Sequence, residues 1–224
     1  PLARARGSHR RFFCRGMTGI SEESFLNDLK LSLEQAWQLL REGARDRHSP
    51  LHTPAVATVT SAGAPSQRIM VMRGVDQQSR HLRFNSDVRA AKIAQIGQQP
   101  GISVLGYHAD AKVQLRLSGR ALVRSAGPEV DRAWAQASLY GQRCYLAAPG
   151  PGSPVDAPTS GLDPALEGVK PTPEQVRPAR AHFAIMQVEV DQIEWLYLAH
   201  RGHRRALFEW CGEAGRWDGR WLVP

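Results

Sequence analysis

The sequence predicts a mainly β protein with peripheral helices, an α+β chain built around a closed or partly closed barrel. Two observations carry this prediction. Short β-like runs separated by turn signals recur along the chain, and only a few stretches have helical periodicity. With 224 residues, 42% of them hydrophobic, the chain can enclose one sizeable core.

The first expected element is a helix over about 21–44. Ser21 and Ser24 can start it, Glu22 and Glu23 suit its positive end, and Phe25, Leu29, Leu33, Ala36, Trp37 and Leu40 share a face. Gly43 and the polar run "RDRHSP" end it. Strands follow over 54–60, 67–74 and 81–86, then a short helix over 87–96 closed by Gly97 and Pro100. The run 101–108 is the next strand, and 111–124 is the longest. In the latter, Val113, Leu115 and Leu117 alternate with Gln114, Arg116 and Ser118. A third helix is expected from about Gly127 to Leu139. Residues 147–180 are rich in Pro and Gly with little periodicity, which predicts a disordered or surface-wrapping insertion. Strands over 182–190, 193–200 and 205–210 and an aromatic C-terminal strand complete the barrel.

The formal charge of +8 suggests a polyanion partner, but Arg4, Arg6, Arg10, Arg11 and Arg15 supply five of these charges before any acidic residue. The remainder is nearly balanced, which argues against nucleic acid. The acid-free stretch 1–16 has the composition of a transit peptide; the favoured reading is a disordered tail of upstream or cloning residues, with Met17 the natural start. Residues 17–224 then form a single domain. Cys14, Cys144 and Cys211 are odd in number and far apart, which fits a reducing cytoplasm better than a disulfide framework or zinc site. No run is long and apolar enough to predict a membrane span, and no histidine pair has helical metal-ligand spacing.

The run His200 to Arg205 packs two histidines and three arginines, and three readings stand open for it: a solvated turn, a nucleic-acid patch or an anion site. Arg68 and Arg73 bracket a β-like run five residues apart. In an ideal strand they face opposite ways, so one ligand can use both only where the strand twists or ends. Lys92 lies early in a helix, where free N–H groups favour anions. Gln114 can donate to and accept from a heterocycle. These residues allow a phosphate-cofactor site on a barrel. No G-x-G-x-x-G, Walker or G-x-S-x-G motif occurs.

Four segments in order resemble the pyridoxamine 5′-phosphate oxidase family, the FMN-binding split barrels. They are Arg68-Ile69-Met70-Val71-Met72-Arg73; Phe84-Asn85-Ser86 through Lys92; Val113-Gln114-Leu115 with Gly119; and Ile193-Glu194-Trp195 with His200 to Arg205 and the final Arg220 to Pro224. The family pattern in the last segment is I-E-x-W. The likeness spans about 50–224, with the Pro/Gly-rich insertion unmatched. It implies an FMN cofactor, with Arg68 and Lys92 on its phosphate and Asn85 and Ser86 on the phosphate or ribityl chain. It also implies that Ile69, Met70 and Val71 run along the cofactor, and that Gln114, Trp195 and Arg205 line the flavin across a homodimer interface. Arg201 and His203 would be the catalytic pair flanking a small-molecule substrate, and Arg73 would bind the substrate phosphate. The implied reaction passes a hydride from substrate to flavin, with reoxidation by dioxygen. Departures are also visible: Ala90 and Ala91 replace Ser-Arg, Asn85 replaces a tyrosine, and Trp134, Ser138 and Arg143 lack the spacing of the family's substrate-phosphate clamp. These departures keep open a flavin module or reductase acting on something other than B6 vitamers.

Overall fold

The computed structural model describes residues 24–224. The basic tail, Met17, Cys14 and the helix-starting residues Ser21, Glu22 and Glu23 lie outside the described residues. A 3-10 turn (Phe25–Asn27) leads into α1 (Leu29–Arg45). Asp28 caps this helix: its Oδ1 accepts from Leu31 N at 3.0 Å, satisfying a donor that the first turn leaves free. Ala36, Trp37, Leu39 and Leu40 form its buried face.

Among the described residues, nine strands form one antiparallel sheet: β1 (Ala55–Val59), β2 (Pro65–Ile69), β3 (Met72–Asp76), β4 (His81–Asp87), β5 (Gly101–His108), β6 (Val113–Arg124), β7 (Phe183–Tyr197), β8 (Arg204–Cys211) and β9 (Arg216–Leu222). Their order is β2-β1-β5-β6-β7-β4-β3, with β8 and then β9 branching from β7. β7 is the trunk of the sheet. β6 runs along one edge of it; on the other edge, Phe183 to Glu189 pair with β4 and Gln192 to Tyr197 pair with β8. The sheet splits where β4 gives way to β8.

At that level β6 has a bulge between Ser118 and Gly119. A Cβ on Gly119 would lie 1.9 Å from the Glu189 carbonyl oxygen, so the close approach of the two backbones requires glycine.

The helices are α2 (Ala91–Gln98), α3 (Pro128–Gln136), α4 (Leu139–Arg143) and α5 (Pro173–Val176). The main core joins Trp37 and Leu40 of α1 to Val113, Leu115, Leu117, Val188, Ile193 and Trp195 inside the sheet. A smaller cluster of Val130, Ala133, Phe183 and Ile185, with Trp134 and Tyr145 against it, seats the α3 segment on β7.

Five boundaries differ from the sequence reading. The first helix starts at Leu29 under the Asp28 cap, not at Ser24, because Phe25–Asn27 form a separate 3-10 turn. The expected 67–74 strand breaks at Met70 and Val71, where Met70 N turns to donate to Pro54 O. The two strands expected over 182–200 are one strand of 15 residues, because polar Asp191 and Gln192 stay extended where β7 changes partners. The helix expected from Asp87 starts four residues later, since Ser86 and Asp87 still pair with β7. The 127–139 helix stops at Gln136; Ser138 Oγ then accepts from Gly141 N and starts α4. Within the Pro/Gly-rich insertion, a Thr172–Gln175 capping box begins α5.

Candidate functional site

A cleft of about 700 Å³ opens between the β2–β4 edge and the α3–α4 segment, a size ordinary for small-molecule sites. Arg68, Ile69, Met70, Val71, Arg73, Arg83, Asn85, Ser86, Asp87 and Lys92 form one wall. Ala133, Gln136, Ala137, Ser138, Gly141, Cys144 and Tyr145 form the other, with Pro151 of the insertion at its margin. The break at Met70 and Val71 is what lets Arg68 and Arg73 line one cleft. In an unbroken strand, residues five apart face opposite sides.

The Arg68 guanidinium donates only to neutral acceptors: Thr58 Oγ1 at 2.7 Å, Ser66 Oγ at 2.8 Å, Val56 O at 3.3 Å and Gln95 Oε1 at 3.5 Å. Its orientation is fixed, and its charge has no ion-pair partner among the described residues. Lys92, the second residue of α2, makes no hydrogen bond or ion pair among the described residues, and no side chain caps that helix. Burial lowers the pKa of both cations; Arg68 lowers that of Lys92 further, and Asp87 works against this. The nearby carboxylate is already committed. Asp87 accepts from Arg89 Nη2 at 2.6 Å and from Nε at 2.9 Å. Burial alone would raise the Asp87 carboxyl, but these hydrogen bonds outweigh it and hold the group below its usual range. Two semi-buried cations that form no ion pair among the described residues make an anion seat. On the facing wall, burial pushes the Tyr145 phenol up to about 12, so its hydroxyl stays protonated at neutral pH.

The other expected residues lie elsewhere. Gln114, Leu196 and Arg205 are cross-strand neighbours in one row over β6, β7 and β8. Arg205 Nη2 donates to Glu194 Oε2 at 2.9 Å, while its buried Nε has no partner among the described residues. His203 is exposed, its Nδ1 accepting from Ala199 N at 3.1 Å, and it lines a smaller cleft of about 370 Å³ with Arg205, Trp221 and Leu222. Arg201 is exposed in the turn between β7 and β8, where Gly202 has φ 124°. Gln114 and Arg201 line neither cleft. The structure thus separates the expected residues into two groups on one chain.

Residues 34–125 match the family model described as the pyridoxamine 5′-phosphate oxidase FMN-binding domain. A pyridoxine/pyridoxamine 5′-phosphate oxidase 2 of Arabidopsis thaliana is 31% identical over 134 residues, covering 55% of this chain and 67% of the relative. The chain belongs to the pyridoxamine 5′-phosphate oxidase family. A pyridoxine/pyridoxamine 5′-phosphate oxidase of Paraburkholderia phytofirmans is 27% identical over 174 residues, covering 77% of this chain and 79% of its own. Two solved structures share the fold. An FMN-binding protein of Nostoc punctiforme, related to pyridoxamine 5′-phosphate oxidase, matches with TM-score 0.68 at 24% identity, covering 85% of this chain and 96% of its own. PhzG of Burkholderia lata matches with TM-score 0.65 at 21% identity, covering 93% and 100%.

The cofactor of this pyridoxamine 5′-phosphate oxidase family domain is FMN, and the fold is the split barrel. The unpaired Arg68 and Lys92 fit its phosphate. One expected flavin contact is corrected. Trp195 is fully buried, stacks on Tyr197 and donates from Nε1 to Gln35 Oε1 at 2.9 Å, so it is a core residue. In the family pattern I-E-x-W the tryptophan falls one place later, where this chain has Leu196. On a strand, one place is the opposite face. Sequence reasoning missed Arg83 and Tyr145. For Arg83 a signal existed, since it alternates with Leu82 and Phe84 on the polar side of β4; Tyr145 sits in a short irregular turn with no period to read.

Among the described residues, no helix is long and apolar enough to cross a membrane, and no cluster of His, Cys, Asp and Glu could hold a metal ion.

Proposed function

We propose that the protein is an FMN-dependent oxidoreductase resembling pyridoxamine 5′-phosphate oxidase, working as a homodimer on a small anionic substrate. The observation that carries this reading is the pair Arg68 and Lys92, semi-buried in one cleft and forming no ion pair among the described residues. Bound FMN would supply the redox chemistry, taking a hydride from the substrate and yielding electrons to dioxygen as peroxide.

The side chains bind and orient. Arg68 and Lys92 hold the phosphate, Asn85 and Ser86 hydrogen-bond to it or to the ribityl chain, and the Ile69–Val71 backbone follows the cofactor. Arg73 meets the acidic group of the substrate. Gln114 and Arg205 come to the flavin from the second copy, with Arg201 and His203 flanking the substrate ring. The exposed apolar residues Ile69, Leu105 and Tyr107 on the outer face of β2 and β5 support such an interface, because a two-fold contact between these faces hides them from water.

A second reading, a flavin reductase or binding module with a substrate other than a B6 vitamer, has one observation behind it. Of the side chains in the region of the family's phosphate clamp, Trp134 packs on Tyr145 and Phe183 and Arg143 donates to Leu166 O and Val169 O, both outside the cleft lining, while Ser138 at the cleft wall caps α4. Aerobic incubation of the FMN-loaded protein with pyridoxamine 5′-phosphate separates the two. Peroxide release matching substrate loss is the expected result; a yellow protein without turnover selects the second reading.

A further inference from the structure

Arg83 lies one residue before the matched Phe84 segment, and none of the four matched segments includes it. It lines the same cleft from β4. Nη2 donates to the Arg73 carbonyl oxygen at 2.9 Å and Nη1 to Asn85 Oδ1 at 3.4 Å, and Arg83 forms no ion pair among the described residues. Both acceptors are neutral, so the guanidinium is positioned without being neutralised. Gly74, its partner across the β3 bulge, makes room for it: a Cβ there would come within 3.3 Å of Arg83 Nε. Burial lowers the Arg83 pKa; Glu129 works against this, and neighbouring Arg73 adds to it.

Arg83, Asn85 and Asp87 share one side of β4. At about 3.3 Å per residue, Arg83 stands roughly 13 Å along the strand from Asp87, beyond which the chain turns into α2 and Lys92. The cleft therefore has two cationic ends, Arg68 with Lys92 and Arg73 with Arg83.

We infer that Arg83 is the second arm of the substrate-binding end, closing with Arg73 on an oxyanion of the substrate, a phosphate or a carboxylate. It takes the place of the clamp side chains that Trp134, Ser138 and Arg143 do not supply. A planar guanidinium held at both terminal nitrogens, each with a second N–H to donate, suits bidentate capture of such a group. The inference rests on the FMN reading, which assigns the other cationic end to the cofactor.

The test is a titration of FMN-loaded protein with pyridoxal 5′-phosphate, pyridoxal and nicotinate, read as a shift in the flavin's visible absorption. The parent is expected to bind at least one acid-bearing probe more tightly than pyridoxal. Pyridoxal 5′-phosphate alone would name a phosphate, and nicotinate alone a carboxylate. Arg83→Gln should weaken that probe by about tenfold or more, the loss expected for a charge-assisted hydrogen bond, with Arg83→Lys intermediate. FMN affinity should stay within about twofold in both variants, which also reports that they fold. Parent-like probe affinity in both variants overturns the inference, as does a parent that prefers no acid-bearing probe. A parent that takes up no FMN overturns the cofactor reading and this inference with it.

Discussion

Arg68 is fixed by two hydroxyls, Thr58 Oγ1 and Ser66 Oγ, and Lys92 by the start of α2. Neither hydroxyl offsets the Arg68 charge, so removing either cation should act on an anionic ligand more than on the fold. Arg68→Ala or Lys92→Ala should each cost about 1.5–3 kcal/mol of FMN binding, roughly 10- to 100-fold in Kd. Quenching of flavin fluorescence on titration measures this, and unchanged affinity in both variants would refute the assignment. At this scale the sequence was informative where chemistry is carried by residue type. Arg68, Arg73 and Lys92 were singled out from charge and spacing, and all three line the cleft. It failed where identity depends on register: Trp195 belongs to the inner row with Ile193 and Tyr197, and only strand pairing distinguishes it from Leu196.

Among the elements, β6 was legible because one side of it is buried and its alternation is clean, Val113, Leu115 and Leu117 all facing the core. β7 was not. Its first four residues are buried on both faces, by the main core and by the α3 cluster, so period-two contrast is lost and Asp191 and Gln192 look like a turn. The break between β2 and β3 was anticipated only as a condition for Arg68 and Arg73 to share a ligand; no glycine or proline marks it. The bulge at Gly119 sets where β7 exchanges β4 for β8, and its backbone approach leaves no room for a side chain. Gly119→Ala should lower stability by about 3 kcal/mol or more, as overpacking against a rigid backbone does. Denaturant unfolding would show this as a lower midpoint; a midpoint equal to the parent's would mean the bulge relaxes freely.

For the whole molecule, the arrangement has one unusual property: the residues that the family resemblance gathers around a single flavin lie in two groups on one chain. Arg68, Arg73, Asn85, Ser86 and Lys92 meet in the large cleft, while Gln114, Arg201, His203 and Arg205 do not. Each residue type was legible in the sequence, and the family resemblance implied that Gln114 and Arg205 reach the flavin across a homodimer interface; residue spacing alone did not give the separation, because it follows from the path of β7. The proposed C2 dimer would reconcile the two groups, with each cleft completed by the other copy's β6–β8 row. Sedimentation velocity of the FMN-loaded protein, followed at the flavin's visible band, tests this directly. The flavin signal is predicted to move with a species of two chains. Flavin saturating a species of one chain would contradict a site shared between copies.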